Sequence, residues 1–200
     1  MPPVTRALLI ANVAVYFLQT MGGFALVESF GLWPVASGDF SAPGFAPWQL
    51  VTYSFLHGSL THLAFNMFGL YMFGSEAERL FGPRFYALYY FASVVAAGVT
   101  HLVITAFFGG PAIPVVGASG GIYGLLLAFG VYFPHRRVVL LIPPIPMKAR
   151  TFVVVFAVAE LAFGVTGTLS GVAHFAHLGG MLGGAMMIAW RRRAGPSRRF

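Results

Sequence analysis

Apolar residues in this chain do not recur with the 3.6-residue period of a half-buried surface helix. They run on for about the width of a bilayer, stop at a polar or Gly/Pro break, and start again. Such runs cover residues 4–22, 53–74, 84–107, 119–133, 149–166 and 172–190. A helix needs about 20 apolar residues, somewhat fewer or more by context, to cross a hydrocarbon core ~30 Å thick. The pattern therefore predicts an all-α integral membrane protein with six transmembrane helices, one domain over 1–200, with 191–200 as a tail. The first run follows Arg6 and imitates a secretory leader, but Gln19-Thr20-Met21-Gly22 offers no small-x-small cleavage pattern and five runs follow, so it reads as the first span. Pro143, Pro144 and Pro146 break the chain between the fourth and fifth spans. No internal repeat or low-complexity linker separates a second domain.

Composition fixes the class. Of 200 residues 58% are hydrophobic and only 8% charged, against roughly a quarter charged in soluble domains. There is no cysteine, which excludes disulfides, thiolate chemistry and Cys-ligated metal. The net charge of +7 suggests nucleic acid until its distribution is read. Arg6, Arg79, Arg84, Arg136, Arg137, Lys148, Arg150, Arg191 to Arg193, Arg198 and Arg199 all fall in the termini or in alternate loops. The loops near 23–52, 108–118 and 167–171 have no Lys or Arg, and the first carries Glu28 and Asp39. The positive-inside rule then puts both termini in the cytoplasm, with no nucleic-acid partner. The basic tail suits anionic lipid.

The fourth run is short. Its 15 residues, 119–133, span roughly 22 Å as a helix. With its His135-Arg136-Arg137 end at the cytoplasmic interface, Ser119 lies below the outer surface. The preceding loop, with Gly109, Gly110, Pro111, Pro114 and Gly117, must dip into the membrane, which is tolerable only beside protein or a water-filled cavity. Ser119 and Tyr123 share a helix face, and Gly120 and Gly124 form a flat small-xxx-small ridge. On the sixth run Gly179/Gly183 and Gly180/Gly184 form matching faces next to His177. The spacing predicts that these two helices pack closely with Ser119 and His177 level, and a serine within reach of a neutral imidazole is the minimum for an activated nucleophile. Taken alone, a Gly/Ala/Ser strip is also an ordinary packing face. A histidine at membrane depth is costly and marks function.

On the second run, His62 and Asn66 are four residues apart on one face, and both can donate a hydrogen bond. With the backbone N–H groups of Ser119 and Ala118 they suit the oxyanion of a tetrahedral intermediate; an interhelical hydrogen-bond pair is the alternative. His174, one turn before His177, is expected to line the water entrance and not to ligate metal, since no carboxylate or Cys is near it in sequence. Glu160 at membrane depth is a candidate for shaping the cavity, gating it, or pairing with His101. His57 is expected to hydrogen-bond the loop above the second span. The first outer loop, with Phe30, Trp33, Phe40, Phe45 and Trp48, reads as an element lying in the headgroup region.

Four motifs in order resemble the rhomboid intramembrane serine proteases: Phe55-Leu56-His57-Gly58 with His62-x-x-x-Asn66, Gly74-x-x-x-Glu78-x-x-x-Gly82, Gly117-x-Ser119-Gly120-x-x-x-Gly124, and Ala176-His177-x-x-Gly180-x-x-x-Gly184. The resemblance covers most of the chain. It implies a six-helix rhomboid-like bundle with a short central fourth helix starting at the catalytic serine. It makes Ser119 the nucleophile, His177 the base and then acid of a Ser–His dyad, and His62 and Asn66 oxyanion-hole side chains. Tyr123 becomes the ring beneath His177, and Glu78 a structural anchor of the cytoplasmic loop. Gly117, Gly120, Gly124, Gly180 and Gly184 are then packing residues. The only Asp is Asp39 in an outer loop, and no His-Glu-x-x-His occurs, so neither an Asp of a triad nor a zinc-protease signature is present. No cofactor or metal is expected. The implied substrates are single-span membrane proteins cleaved near the outer end of their helix, entering past the fifth helix or the loop at 167–171, where Gly164, Gly167 and Gly171 allow motion. An inactive client-binding protein and a small transporter are the competing classes; intact Ser119 and His177 oppose the first, and the lack of a visible inverted repeat opposes the second.

Overall fold

A computed structural model describes residues 1–35, 43–109, 112–139, 144–168 and 173–194, and these are mostly helical. Pro3 opens α1 (Pro3–Gly22) in the first turn, where a missing N–H costs nothing. The short α2 (Ala25–Phe30) and α3 (Gln49–Thr52) follow, α3 running into a 3₁₀ turn at Tyr53–Phe55. Then come α4 (Leu60–Gly69), one π-helical turn at Leu70–Gly74 and α5 (Ser75–Phe81). Gly82, at φ 79°, turns the chain into α6 (Pro83–Phe108). The remaining elements are α7 (Ser119–Tyr132), strands β1 (Arg137–Val139) and β2 (Pro146–Lys148), α8 (Ala149–Thr166) and α9 (His174–Arg193).

The second apolar run is thus not one helix over 53–74. Ser59 adopts extended backbone and its hydroxyl accepts the His62 N–H at 3.1 Å, an N-cap that starts a fresh helix after the Leu56–Gly58 break. The two ends of the segment between α7 and α8 are regular where the prolines predict only a break: β1 and β2 pair antiparallel, Arg137 opposite Lys148. The first outer loop departs from a purely interfacial element. Trp33 is buried and its indole N–H donates to the Glu28 carbonyl, whereas Trp48 is exposed; Phe40 lies outside the described residues.

Among the described residues α1, α6 and α8 are long and apolar enough to cross a membrane. Their outer faces expose residues such as Ile10, Phe17, Val154 and Val158, as expected where the surrounding medium is lipid. The interior is the more polar part, with Thr5, Asn12, Gln49, Ser93 and four tyrosines buried. α6, α7 and α9 pack together through small residues. A Cβ on Gly120 would lie 2.5 Å from Ala97 Cβ, one on Gly183 2.6 Å from Ala96 Cβ, and one on Gly180 2.0 Å from the Gly120 carbonyl oxygen. Backbone contact of this kind supplies dispersion attraction where no hydrophobic drive exists between helices in lipid.

One end of the molecule gathers basic residues from separate segments. Arg79 and Arg136 both bond Glu76, and Arg191 lies over the Phe81 and Phe85 rings. The hydrogen bond from Arg136 holds the Glu76 carboxyl below its ordinary range. Such a half-exposed pair stabilises by about 0–1 kcal/mol, in full above the ordinary carboxylate pKa and progressively less as pH falls toward the lowered one. Glu78 is different in kind. Its buried carboxylate accepts the Val4 N–H at 2.9 Å, and the Thr5 N–H and hydroxyl at 2.7 Å each, capping the orphan donors of α1. The anchor therefore reaches the first helix, not its own loop. Glu78→Ala leaves three donors unpaired, two of them buried, and is expected to destabilise by about 2–4 kcal/mol, read as a lowered unfolding temperature in detergent.

Candidate active site

Ser119 is the first residue of α7, and Gly117 sets the angle at which the chain enters it. Gly117 has φ 126°, and a Cβ there would lie 2.8 Å from His62 Cε1. Only glycine suits both demands. Its role is therefore a turn that admits the His62 ring, a correction to its expected place among the helix-packing residues: it lies before the helix and faces no helix backbone. The Gly117 N–H donates to the Tyr53 carbonyl at 3.0 Å, and Val115 and Leu32 exchange both backbone bonds as an isolated bridge. Two staples thus hold the irregular loop against the 3₁₀ turn and the first outer segment.

His177 sits one turn into α9. Its Nε2 is 2.8 Å from Ser119 Oγ, and its ring stacks on Tyr123 at 4.2 Å with the planes 6° apart. Ser119 and Tyr123 are one α-turn apart, so α7 presents hydroxyl and ring to the same imidazole. Gly180, one turn after His177, meets Gly120, one residue after Ser119. The two faces expected on the sixth helix separate: Gly180 approaches α7, Gly184 lies between Tyr89 of α6 and Gly124 of α7, and Gly179 and Gly183 approach Thr100, Ala96 and Ala92 of α6.

His62 Nδ1 accepts the Gly58 N–H at 3.4 Å, so in the neutral ring the hydrogen belongs to Nε2, the side near Gly117 and Ser119. Asn66 is buried and spends one amide hydrogen on the His62 carbonyl at 2.9 Å; the second remains. Ala118 is fully buried at the N-cap, and the N–H groups of an α-helix's first turn have no intrahelical acceptor. His62, Asn66, His101, Ser119, His174 and His177 line one cavity of about 830 Å³.

Glu160 is the residue that sequence reasoning left open. It is buried, and its partners are Tyr123, whose hydroxyl donates to Oε1, His174, whose Nδ1 is 2.6 Å from Oε2, and His177, whose Nδ1 is 3.0 Å from Oε1. Pairing with His101 does not occur; His101 lines the cavity on α6. Glu160 and Gly164 share a face of α8, and Gly164 packs on the Phe175 ring and His174 Cβ, so that face meets α9, a pairing that no local feature of the sequence marks. His174 is accordingly buried and bound, its Nε2–H donating to the Thr168 carbonyl at 3.0 Å, and not simply an entrance residue. Gly164 is a contact between helices and not a hinge, whereas Gly167 is a left-handed C-cap at φ 69°; Gly171 lies outside the described residues. The buried His57 ring faces the Phe55 backbone outside strict hydrogen-bond geometry and lies edge-on to His62 at 5.1 Å, while Gln19 clamps the His57 backbone at 2.7 and 3.1 Å.

The Glu160, His174 and His177 ligand atoms lie within 4.8 Å of one another, which raises the question of a metal. Ligands at about 2.0–2.2 Å from a shared ion stand about 3 Å or more apart. The 2.6 Å between His174 Nδ1 and Glu160 Oε2 is instead a hydrogen-bond distance. The Tyr123 hydroxyl already occupies Oε1, so the donor set fits a shared proton better than a shared ion.

Comparison with known proteins bears on the same residues. The Rhomboid domain family matches residues 45–194. This chain belongs to the rhomboid family. It is 28% identical over 190 residues to the rhomboid protease GluP of Bacillus subtilis (strain 168), covering 94% of this chain and 34% of that protein. It is 27% identical over 192 residues to the rhomboid protease GlpG of Yersinia pestis (strain Pestoides F), covering 96% of this chain and 63% of that one. The chain thus spans about a third of the first relative's length and less than two thirds of the second's. As a rhomboid with lipid-compatible α1, α6 and α8, it is a membrane protein of predominantly helical fold.

Proposed function

We propose that this rhomboid is an intramembrane serine endopeptidase that cleaves single-span membrane proteins near the outer end of their helix through an acyl-enzyme. The observation that carries the reading is the 2.8 Å contact between His177 Nε2 and Ser119 Oγ inside a cavity that also holds candidate oxyanion donors. Neutral His177 takes the Ser119 proton as Oγ attacks the scissile carbonyl carbon. The carbonyl π pair moves to oxygen, where the Nε2–H of His62, the second amide hydrogen of Asn66 and the backbone N–H groups of Ser119 and Ala118 serve as donors. Imidazolium then protonates the departing amine as the C–N bond breaks. Water, deprotonated by His177, releases the acyl group and restores the serine. Tyr123 holds the imidazole plane by stacking.

The same reading places the chain in the bilayer as one domain of six spans, with α7 as the short central helix. Only 14 residues, Ser119 to Tyr132, are helical there, roughly 21 Å against ~30 Å of hydrocarbon. That difference supports a serine set below the outer surface beneath a water-accessible cavity. The basic end of the molecule supports cytoplasmic termini, with the basic tail at anionic lipid. The partners are then transmembrane substrates and lipid.

A fluorophosphonate probe tests the nucleophile directly. Labelling of folded protein in detergent is expected at one serine and is expected to vanish in Ser119→Ala. A folded parent that takes no label, or a Ser119→Ala variant that labels equally, sinks the assignment and favours a client-binding rhomboid.

A further inference from the structure

We infer that Glu160 is a positioning residue of the reacting group: it holds His177 in the tautomer that can accept the serine proton, with His174 as its counter-ion. This rests on the reading of Ser119 and His177 as nucleophile and base.

The tautomer argument comes first. For His177 Nε2 to accept the Ser119 proton across 2.8 Å, the hydrogen of the neutral ring must sit on Nδ1. That Nδ1 is buried and has no partner in hydrogen-bond geometry among the described residues. Glu160 Oε1 is 3.0 Å away, off the ideal hydrogen-bond line, an alignment of the kind that tightens when substrate is bound. A carboxylate can only accept, so it selects the Nδ1–H form and disfavours the idle one. When the serine proton arrives at Nε2, both ring nitrogens carry hydrogen and the Nδ1–H stays on Oε1. No proton passes to Glu160, and its negative charge faces the imidazolium that forms.

The rest of the cluster explains how a carboxylate persists at this depth, since an unpaired buried charge is costly. The Tyr123 hydroxyl donates to Oε1. On the other oxygen, His174 stands with Nδ1 at 2.6 Å. Its Nε2–H is committed to the Thr168 carbonyl, which can only accept, so the single proton between His174 and Glu160 completes a pair that is neutral as a whole. Three elements thus converge on one carboxylate: Tyr123 from α7, Glu160 itself from α8, and His174 and His177 from α9. Of the other titratable groups lining the cavity, His62, His101 and Tyr53, none forms a hydrogen bond or ion pair with Glu160 among the described residues, and the Tyr53 hydroxyl is committed to the Val94 carbonyl.

The test compares full-length parent, Ser119→Ala, Glu160→Gln, Glu160→Asp and Tyr123→Phe in detergent on a model single-span substrate. Glu160→Gln is expected to lower kcat about 10²- to 10⁴-fold, by losing the negative charge that faces the imidazolium and by putting an amide N–H donor where one acceptor oxygen stood, with KM within about twofold and the unfolding temperature close to parent. Glu160→Asp is expected to regain at least about tenfold in kcat over the glutamine variant, because the acceptor charge returns. Tyr123→Phe keeps the ring stack and removes only the bond to Glu160, so a loss of about 3- to 10-fold in kcat is expected; it carries the test where Glu160→Gln does not fold. A Glu160→Gln variant within threefold of parent, a loss confined to KM, or an aspartate variant no better than glutamine overturns the inference. So does Tyr123→Phe at parental rate where that variant stands in. Cleavage by Ser119→Ala at parental rate would instead overturn the underlying assignment of the nucleophile.

Discussion

Replacing His177 by alanine is expected to lower kcat for cleavage of a single-span substrate by about 10⁴- to 10⁶-fold while the helical content of the protein stays intact. The size follows from what one side chain contributes. Its Nε2 is the sole base within hydrogen-bond reach of Ser119 Oγ among the described residues, at 2.8 Å. An un-ionised serine hydroxyl is a poor nucleophile, and among the described residues no lysine or second histidine hydrogen-bonds Ser119 Oγ. The same ring returns a proton to the amine, so its loss removes the acid as well as the base. Folding tolerates the change better than chemistry does, because α9 is held by Gly179, Gly180, Gly183 and Gly184 against α6 and α7, contacts the substitution leaves alone. The measurement is kcat beside far-ultraviolet circular dichroism. The rate of fluorophosphonate labelling should fall with kcat, since both need the serine proton removed. Cleavage at the parental rate would show that another group serves as base.

Gly180→Ala is expected to cost at least about 3 kcal/mol of stability, near or above the upper end of ordinary overpacking, and about 100-fold in activity even where the protein still folds. The added Cβ would lie 2.0 Å from the Gly120 carbonyl oxygen and 2.8 Å from its carbon. Backbone cannot swing aside as a side chain can, so α9 itself must retreat from α7 by an ångström or so, a distance about that which misplaces a catalytic group. His177 lies one turn earlier on α9 and moves with it, lengthening the bond to Ser119. Gly184→Ala is the comparison, since its Cβ meets chiefly the tip of Tyr89, a hydroxyl on a ring. Unfolding temperature in detergent and labelling rate should separate the two, with Gly180→Ala worse in both. Equal behaviour would mean that the helix crossing is softer than its contacts suggest.

These residues also mark where the sequence was readable. Ser119, Tyr123, Gly120 and Gly124 lie within two turns of one helix, and His177, Gly180 and Gly184 within two of another. Helical spacing alone therefore puts each set on a face, and small residues tell which faces can touch. Glu160 was visible as an ionisable residue at membrane depth, but its partners lie on α7 and α9, and nothing local distinguishes His174 and His177 from His101 as its mate. Composition misled in the second apolar run: uninterrupted hydrophobicity says that a stretch is buried in lipid or protein, not that its backbone is one continuous helix. There the cap at Ser59 and the break before it decided, and both depend on a single hydroxyl meeting the His62 N–H. Gly117 was misassigned for a related reason. A glycine kept for its φ and one kept for close packing look alike until the backbone angle is known.

The match to the family's domain model begins at residue 45, yet the attachments that hold the site in shape begin earlier. Leu32, fully buried, is the backbone partner of Val115 in the loop that leads to the serine. Gln19 grips both backbone groups of His57, and Val4 and Thr5 satisfy the carboxylate of Glu78. None of these upstream residues has any chemistry to perform, and all three attachments would be severed by trimming the chain to its matched region. A fragment cut at that boundary would keep every reacting atom and lose the scaffold that registers them. The boundary of the matched domain and the reach of the scaffold that supports it are different lines on this sequence.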